Sequence, residues 1–402
     1  MRADAAAVPE TVEVPGAERE RIRRGLRYCA GVFLGVRLGL GVLAVLGTAL
    51  LPALDSVSVP GWPAPPDAPG VDNVFTSWER FDALWFLRVA DAGYRLADGS
   101  GAFFPLYPLL IRGFSALLGG SPLAAALLVS NAAFLGALVV FYFLSASEWN
   151  ERIARRSVLL LALFPTAFFF LAPYSEAPFL LFALLALWGA RRGRWEIAGS
   201  AGALATATRS IGIVLVPALL AEAIHQWRER REDLAWPVLW SLAAGLGLLS
   251  YLAFWKVWTG DWLGPLHIQA NNWQREFSLP WATLWAGTRE AFRWIGQSPG
   301  GYHLLDWLVV VPALVAGGWV ALRARPAYAL YAWGSLLIPL SYIFAPRPFM
   351  SLPRFLLVAF PLIWAPAALA ARRPGAQQAL VTVFAAGLGI LTVLFVNWYF
   401  IF

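Results

Sequence analysis

The chain has 402 residues, of which 59% are hydrophobic and only 14% are charged. A soluble domain carries nearer a quarter of charged residues, and one core could not bury so many apolar side chains. The net charge of +7 could suggest a nucleic-acid-binding protein, but the arginines lie in short loops between apolar segments. This pattern predicts a polytopic integral membrane protein with no nucleic-acid partner. The single cysteine, Cys29, excludes an internal disulfide.

The apolar segments predict an all-α membrane fold with about ten to eleven transmembrane helices. Residues 1–28 are predicted to be a disordered cytoplasmic tail, and residues 29–402 form a single transmembrane domain. The first apolar segment is too long for the core of a signal peptide, so we expect it to be retained. The predicted spans are 29–51, 121–146, 154–172, 174–191, 196–224, 235–258, 304–322, 327–345, 353–371 and 376–400.

Short loops rich in arginine predict the cytoplasmic side of the membrane. Two such loops flank residues 196–224, yet one crossing would place them on opposite sides. Arg209 and its polar neighbours interrupt this segment, so we predict a hairpin of two short helices, 196–207 and 211–224. The N-terminus is then inside the cell, and residues 52–120 and 259–303 form two long outer loops.

Long loops in a compact membrane protein usually carry function. In the first outer loop, residues 60–69 are rich in proline and are predicted to be irregular. Residues 78–94 and 103–118 are amphipathic or apolar, so we expect helices that lie along the outer membrane surface or re-enter it.

Asp82 is the leading catalytic candidate. A carboxylate among tryptophan and phenylalanine residues is partly desolvated, which raises its proton affinity and suits a general base. The alternative is an ordinary helix cap. Glu79 and Asp91 are nearby candidates for substrate contacts, or they form a solvated helix face.

Three arginines are candidates for binding a phosphate group. Arg209 lies inside a membrane hairpin, where an ionisable residue is costly and usually functional. Its alternative role is a structural pair with Asp82 or Glu176. Arg347 and Arg354 flank a short outer loop, and the planar guanidinium fork matches phosphate oxygens. Both could instead anchor lipid headgroups.

Further polar residues in the outer segments are candidates for contacts with a substrate. Glu176 lies in a tight turn between two predicted spans and is a second base, an orienting group or a plain turn residue. His267 and Gln269 follow Asp261 in the second outer loop and could hold hydroxyl groups. No D-x-D pair stands in the outer loops, so we predict neither a metal site nor a required cofactor, although a divalent cation stays possible.

Four ordered blocks, spread over about residues 30–371, resemble the glycosylphosphatidylinositol mannosyltransferase II family and its bacterial relatives. Phe81 departs from the pattern, since relatives commonly have tryptophan there. The chain uses arginine almost to the exclusion of lysine, which favours a bacterial source. The blocks are RFDALWFLRVADAGY at 80–94 with FFPLYPL at 103–109, LFPTAFFFLAPYSE at 163–176, GDW at 260–262 with His267 and Gln269, and LPRFLLVAFPL at 352–362.

The resemblance implies a GT-C glycosyltransferase fold with its site at the outer face, beneath the first long loop. It implies a polyprenyl-phosphate sugar as donor, a lipid or glycan acceptor, surrounding membrane lipids, and Asp82 as catalytic base. Tyr107 and Tyr174 lie in the shared blocks, and we assign them substrate contacts. The hypothesis is an inverting transfer of mannose; the alternatives are a lipid flippase, which would carry inverted repeats, and a scaffold protein. No oligomeric state is predicted.

Overall fold

The computed structural model describes residues 15–65, 70–96, 98–230, 233–297 and 301–401. The described residues form helices connected by turns and loops, together with one two-stranded ladder. The first nine helices are α1 (Pro15–Leu50), α2 (Asn73–Thr76), α3 (Asp82–Ala92), α4 (Leu106–Leu117), α5 (Pro122–Glu148), α6 (Glu151–Ala162), α7 (Glu176–Arg191), α8 (Trp195–Thr208) and α9 (Leu215–Arg230).

In the second half of the chain, the described residues contain the ladder and nine more helices. Strand β1 (Glu276–Phe277) pairs antiparallel with β2 (Tyr342–Ile343). The helices are α10 (Ala235–Ala243), α11 (Leu246–Thr259), α12 (Gly264–Asn271), α13 (Pro280–Arg293), α14 (Gly301–Arg323), α15 (Pro326–Leu340), α16 (Leu352–Phe355), α17 (Trp364–Arg372) and α18 (Pro374–Val396).

The apolar helices make this an integral membrane protein. Within the described ranges, five helices are long and apolar enough to cross a membrane, or seven if each of two bent helix pairs counts as one span. The bends are 45° between α10 and α11 and 87° between residues 352–358 and 360–372. The sequence predicts ten to eleven spans because it counts apolar length, whereas several of these segments fold as shorter helices.

Two predicted boundaries differ from the structure. Helix α1 already begins at Pro15, so the disordered tail predicted for residues 1–28 is wrong for residues 15–28; residues 1–14 lie outside the described part. The span predicted for 154–172 ends as a helix at Ala162. Pro165 and Pro173 follow, and proline cannot continue a helix in its interior, so a short 3₁₀ turn (Ala167–Phe170) replaces the last helical turns.

The hairpin of two short helices is confirmed. Helix α8 ends at Thr208, Arg209 is extended with φ −155° and ψ 143°, and a 3₁₀ turn (Ser210–Val214) leads into α9. The two arms approach closely at this tip, because a Cβ atom on Gly212 would lie 2.9 Å from the backbone of Thr206.

The open ends of both arms lie at the opposite end of the bundle from Arg209. There the Gln226 side-chain amide of α9 donates a hydrogen bond to the Ala190 carbonyl (2.7 Å), and Arg191 of α7 contacts Glu222 of α9 (3.3 Å). Helix α8 starts only four residues after Arg191. The hairpin therefore enters and leaves at one end of the bundle and presents Arg209 towards the other.

The helices predicted in the first long loop are confirmed as α3 and α4. Phe86 of α3 fixes their packing: its ring lies 5.0 Å from those of Phe103 and Tyr107 and 6.3 Å from that of Tyr174. Such aromatic pairs contribute about 0.5–1.5 kcal/mol each beyond their buried area. This packing holds the first turn of α3, which carries Asp82, against the start of α7.

Candidate active site

Asp82 is the first residue of α3 and follows an unusual backbone conformation. Phe81 has φ +53°, a region that costs a residue with a side chain about 1–3 kcal/mol. The Phe81 ring is held by Trp398 and Phe400, whose ring centroids lie 5.4 and 5.5 Å away. The turn places the Asp82 carboxylate at a helix N-terminus, where the helix dipole favours a negative charge.

Arg354 of α16 joins Asp82 to Glu176. Its Nη1 donates to the Asp82 carboxylate and its Nε donates to the Glu176 carboxylate. The guanidinium also stacks over the rings of Tyr174 (4.6 Å) and Phe169 (5.0 Å). Asp82, Glu176 and Arg354 come from three different sequence blocks of the resemblance. The fold brings them into contact although Asp82 and Arg354 are 272 residues apart.

Arg209, at the tip of the hairpin, completes this group of charges. Its Nη1 lies 2.7 Å from a Glu176 carboxylate oxygen and 3.0 Å from the Ser175 hydroxyl. The pairing with Glu176 that the sequence left open as an alternative is therefore observed. We call Asp82, Arg354, Glu176 and Arg209, in that order of contact, the charged relay.

Within the charged relay, Asp82 is the carboxylate that a substrate can reach. The Asp82 side chain is 26% exposed, whereas that of Glu176 is fully buried. Buried charges are tolerated when they are paired, because the lost hydration must be replaced. Glu176 therefore orients the two arginines, and Asp82 is left at the open end of the charged relay.

Asp82 and Arg354 face a narrow crevice of about 20 Å³. This volume accommodates about one water molecule, well below the roughly 300 Å³ of a small ligand pocket. Its wall is formed by residues from five parts of the chain: Phe81, Phe169, Tyr174, Phe395, Phe400 and Ile401.

Arg347 lies outside the charged relay. Its guanidinium forms two hydrogen bonds with Asp306 of α14 (2.7 and 2.9 Å) and donates a third to the Ile401 carbonyl (2.6 Å). It thereby fastens residues 397–401, which follow α18 and form one wall of the crevice. A phosphate bound by Arg347, as the sequence predicts, would compete with the Asp306 carboxylate for the same guanidinium.

The other residues near Asp82 that were predicted to contact a substrate form hydrogen bonds within the protein. Glu79 accepts a hydrogen bond from the Trp62 indole (2.9 Å), and burial raises the pKa of this carboxyl. Tyr107 contacts the Ser130 hydroxyl (2.7 Å), and Tyr174 donates to the Arg80 carbonyl (2.9 Å). Asp91 is exposed in the last turn of α3, about 14 Å along the helix from Asp82.

His267 and Gln269 lie on α12, and their observed contacts are with residues outside the charged relay. His267 Nδ1 pairs with the Asp261 carboxylate at 2.7 Å, and both side chains are exposed. The backbone N–H of Leu263, followed by His267, lowers the pKa of Asp261. The backbone carbonyl of Gln269 accepts a hydrogen bond from the Arg275 N–H (3.1 Å). Within the described ranges, no three His, Cys, Asp or Glu side chains are grouped as metal ligands.

Sequence reasoning missed Arg275, which is linked to Arg354 through Ser351: the Arg275 guanidinium donates to the Ser351 hydroxyl (3.1 Å), and the Arg354 N–H donates to the Ser351 carbonyl. The Arg275 guanidinium also donates to the Met350 carbonyl (3.2 Å). Burial lowers its pKa to about 10, and the Asp82 carboxylate opposes that shift. No sequence motif marks this residue, because its position depends on the pairing of β1 with β2, whose partner residues are 65 and 67 positions apart.

Backbone strain also concentrates around the crevice. Outside glycine, the described residues with positive φ are Phe81, Gln274, Ser351 and Trp398. Phe81 lines the crevice, and Trp398 packs against the Phe81 ring. Ser351 accepts a hydrogen bond from the Arg354 N–H, and Gln274 precedes Arg275. Such strained conformations cluster at functional sites, where the surrounding structure holds them in place.

A much larger cavity of about 770 Å³ runs along α14, α17 and α18. Its lining is almost entirely apolar and extends along α14 from Gly301 to Trp319, about 27 Å at 1.5 Å per residue. Leu356, two residues after Arg354, lines it as well. We call this cavity the apolar groove.

Comparison with known proteins finds a family match over part of the chain. Residues 68–234 match the family model described as Mannosyltransferase (PIG-V). The resemblance read from the sequence is confirmed over this segment, which contains the blocks at 80–109 and 163–176; the blocks at 260–269 and 352–362 lie outside it. The matched segment contains three members of the charged relay, Asp82, Glu176 and Arg209, whereas Arg354 and Arg275 lie beyond it.

The curated relatives of this segment are mammalian. GPI alpha-1,6-mannosyltransferase 2 from Cricetulus griseus and from Rattus norvegicus are each 35% identical over 162 residues, which cover 37% of this chain. The match spans about a third of their length, 32% in each case.

A solved structure resembles nearly the whole chain. The crystal structure of ArnT from Cupriavidus metallidurans bound to undecaprenyl phosphate matches with a TM-score of 0.51 and 15% identity. The match covers 92% of this chain and 76% of ArnT. At that identity the likeness concerns the fold alone, and it confirms the predicted fold class, a GT-C polytopic membrane protein.

Proposed function

We propose that this chain is a membrane glycosyltransferase that moves mannose from a polyprenyl-phosphate mannose to a hydroxyl group of a lipid-linked or other acceptor. The observation that carries the proposal is Asp82: it is the partly exposed carboxylate of a buried charged relay and lies in the segment that matches mannosyltransferases. The relatives named above act as mannosyltransferases by their descriptions.

In the proposed reaction, Asp82 is the general base. It takes the proton of the acceptor hydroxyl while the hydroxyl oxygen attacks the anomeric carbon. The bond between that carbon and the phosphate oxygen breaks, and polyprenyl phosphate leaves from the opposite face of the sugar, so the configuration is inverted. Arg354 holds the Asp82 carboxylate in place through a charge-assisted hydrogen bond.

The arginines of the charged relay stabilise the leaving phosphate in this proposal. Negative charge develops on the phosphate as the bond breaks, and fixed cations in a water-poor site lower the energy of that state. Arg209 and Arg354 supply this field from behind the crevice. The lipid phosphate is already a good leaving group, so the proposed step needs no cofactor.

The apolar groove is the proposed place for the lipid tail. Its length of about 27 Å is close to the ~30 Å hydrocarbon thickness of a bilayer. It adjoins Leu356, next to the segment that carries Arg354. The lining of the groove between α14, α17 and α18 is almost entirely apolar, which suits a hydrocarbon chain.

We further propose that the crevice opens to the outer face of a bacterial cytoplasmic membrane, with the N-terminus inside. Arg191 and Arg325 lie at the end of the bundle opposite Asp82, together with the open ends of the hairpin. Arginine-rich short loops mark the cytoplasmic side, which supports this orientation.

The reaction class can be tested with the full chain in lipid nanodiscs. Purified protein is incubated with radiolabelled undecaprenyl-phosphate mannose and a mixture of lipid and glycan acceptors, and the products are separated. We expect labelled mannose in an acceptor and release of undecaprenyl phosphate in equal amount. Movement of labelled lipid across proteoliposome membranes without any mannosylated product would instead support a flippase and contradict the proposal.

A further inference from the structure

The charges around the crevice do not balance. Among the described residues, the carboxylates Asp82 and Glu176 face three cations, Arg209, Arg354 and Arg275. Two neighbouring arginines interact with carboxylates of their own: Arg347 forms an ion pair with Asp306, and Arg80 interacts electrostatically with Glu79. Of the three described cations, one makes its hydrogen bonds to neutral oxygens and not to a carboxylate.

The unbalanced cation is Arg275. Arg209 and Arg354, which the sequence predicts as phosphate ligands, each contact a carboxylate directly. Arg275 donates to two neutral oxygens instead, the Met350 carbonyl and the Ser351 hydroxyl. A guanidinium carries five N–H donors, so three remain for a ligand beyond these two bonds.

The backbone around Arg275 fixes the position of this residue. Gln274, immediately before it, has φ +51°, and Ser351, which accepts one of its bonds, has φ +68°. The β1–β2 ladder begins at the next residue, and the Gln269 carbonyl holds the Arg275 N–H. Gln274 and Ser351 thus place unfavourable backbone conformations beside both partners of this hydrogen bond. Such conformations persist only where the surrounding structure holds them, and they cluster at functional sites.

We propose that Arg275 is the phosphate-binding residue of this site and that its guanidinium takes an anionic phosphate oxygen beside Asp82. The inference rests on the proposed function, because it names the group that receives the phosphate of the lipid carrier. A phosphate anion neutralises the excess charge, and its oxygens match the guanidinium fork. Arg275 stays charged at neutral pH, since its pKa is about 10.

Binding of undecaprenyl phosphate to the full chain in nanodiscs tests the proposal without requiring turnover. Wild type, Arg275→Gln and the control Arg289→Gln are titrated with undecaprenyl phosphate, with the neutral alcohol undecaprenol, and with inorganic phosphate. Arg289 lies in the same region of the chain but is exposed. We expect Arg275→Gln to weaken binding of undecaprenyl phosphate about 10- to 100-fold and to leave undecaprenol binding unchanged, while Arg289→Gln behaves as wild type.

Several results would overturn the proposal. Equal affinity of Arg275→Gln and wild type for undecaprenyl phosphate would do so, as would equal weakening by Arg289→Gln. Arg275-dependent binding of inorganic phosphate alone, with no binding of the lipid phosphate, would make the residue an anion site unrelated to the carrier. A wild-type protein that binds neither probe would also refute it.

Failure of this inference is distinguishable from failure of the proposed function. Arg275-dependent binding without mannose transfer would contradict the function alone, and mannose transfer with Arg275-independent binding would contradict this inference alone. If Arg275→Gln does not fold, as judged by size-exclusion chromatography, Arg275→Lys and Ser351→Gly replace it. The first keeps the charge and loses the fork, and the second removes a hydroxyl that aims it. We expect each to weaken binding at least about threefold, and wild-type affinity in both would refute the role.

Discussion

Glu176 is fully buried between Arg209 and Arg354. Removing one member of a buried ion pair leaves its partner without compensation, which costs more than the pair contributes when intact. The network therefore explains how an arginine can sit at the tip of a membrane hairpin: a carboxylate from the start of α7 meets it there.

This pairing predicts the effect of neutralising Glu176. In Glu176→Gln, two buried guanidinium groups lose their shared anion, so we expect the free energy of unfolding to fall by about 3–5 kcal/mol. Thermal unfolding in mild detergent would show the loss as a lower midpoint. Adding Arg209→Gln should recover part of it, since the charge is then rebalanced.

Glu196 offers the matched control for that experiment, because it is exposed at the start of α8. Glu196→Gln should change the midpoint little. A Glu176→Gln protein as stable as wild type, or a double variant less stable than either single one, would contradict the account of the relay.

Residue types and motifs allowed the relay to be predicted in part. Asp82, Glu176, Arg209 and Arg354 were all named from the sequence, and the possible pairing of Arg209 with Glu176 was left open. Arg275 and the Arg347–Asp306 pair were missed. Both depend on contacts over tens of residues, and Gln274 and Ser351 adopt positive φ without being glycine, so no local pattern marks them.

At the scale of elements, the segment 397–401 after α18 is the least expected feature. The sequence predicts a helix through residue 400, but α18 ends at Val396. Arg80 donates to the Val396 carbonyl (2.9 Å), and the Leu54 N–H donates to the Asn397 carbonyl (3.0 Å). Together with Arg347, these bonds hold Phe400 and Ile401 over the crevice, which is too small for a sugar ring while they stay there.

Arg347 should therefore control the mobility of this segment. In Arg347→Ala the Ile401 carbonyl loses its donor, so we expect faster hydrogen–deuterium exchange in peptides covering residues 397–401 and unchanged exchange in the middle of α18. Mass spectrometry of the protein in nanodiscs measures both. Arg293→Ala, at an exposed position of α13, is the control, and equal exchange in all three proteins would show that Arg347 does not fasten the segment.

Apolar length predicts that a segment is a helix better than it predicts where the helix breaks. The hairpin was predicted because Arg209 and its polar neighbours interrupt an apolar run. The 45° and 87° bends and the shortened α6 were not predicted, because neighbouring helices decide whether a proline-containing segment bends, ends or continues.

Considered as a whole molecule, the protein separates two surfaces. The charged relay and the crevice lie at one end of the helix bundle, whereas the apolar groove runs along its side between α14, α17 and α18. A lipid carrier needs both, a charged site for its headgroup and an apolar surface for its tail. The arrangement of the two surfaces supports a lipid-linked substrate over a soluble one.

The proposed orientation can be tested in intact cells. Single cysteines are introduced as Asp72→Cys and Asp233→Cys in a Cys29→Ser background; both positions are exposed and lie at opposite ends of the predicted topology. A membrane-impermeant maleimide should label the cysteine at 72 and should label the one at 233 only after the cells are opened. The reverse pattern would invert the orientation and place the crevice in the cytoplasm.

The most direct test of the central claim is mannose transfer by Asp82→Asn beside Asp72→Asn. Asp72 is an exposed carboxylate in the same loop, so its variant controls for a general change of loop charge. Losing a general base slows turnover about 10²- to 10⁴-fold, and we predict that loss in Asp82→Asn, with binding of undecaprenyl phosphate retained and Asp72→Asn near the wild-type rate. Transfer by Asp82→Asn at the wild-type rate would contradict the account, because the relay would then be structural and the base would lie elsewhere.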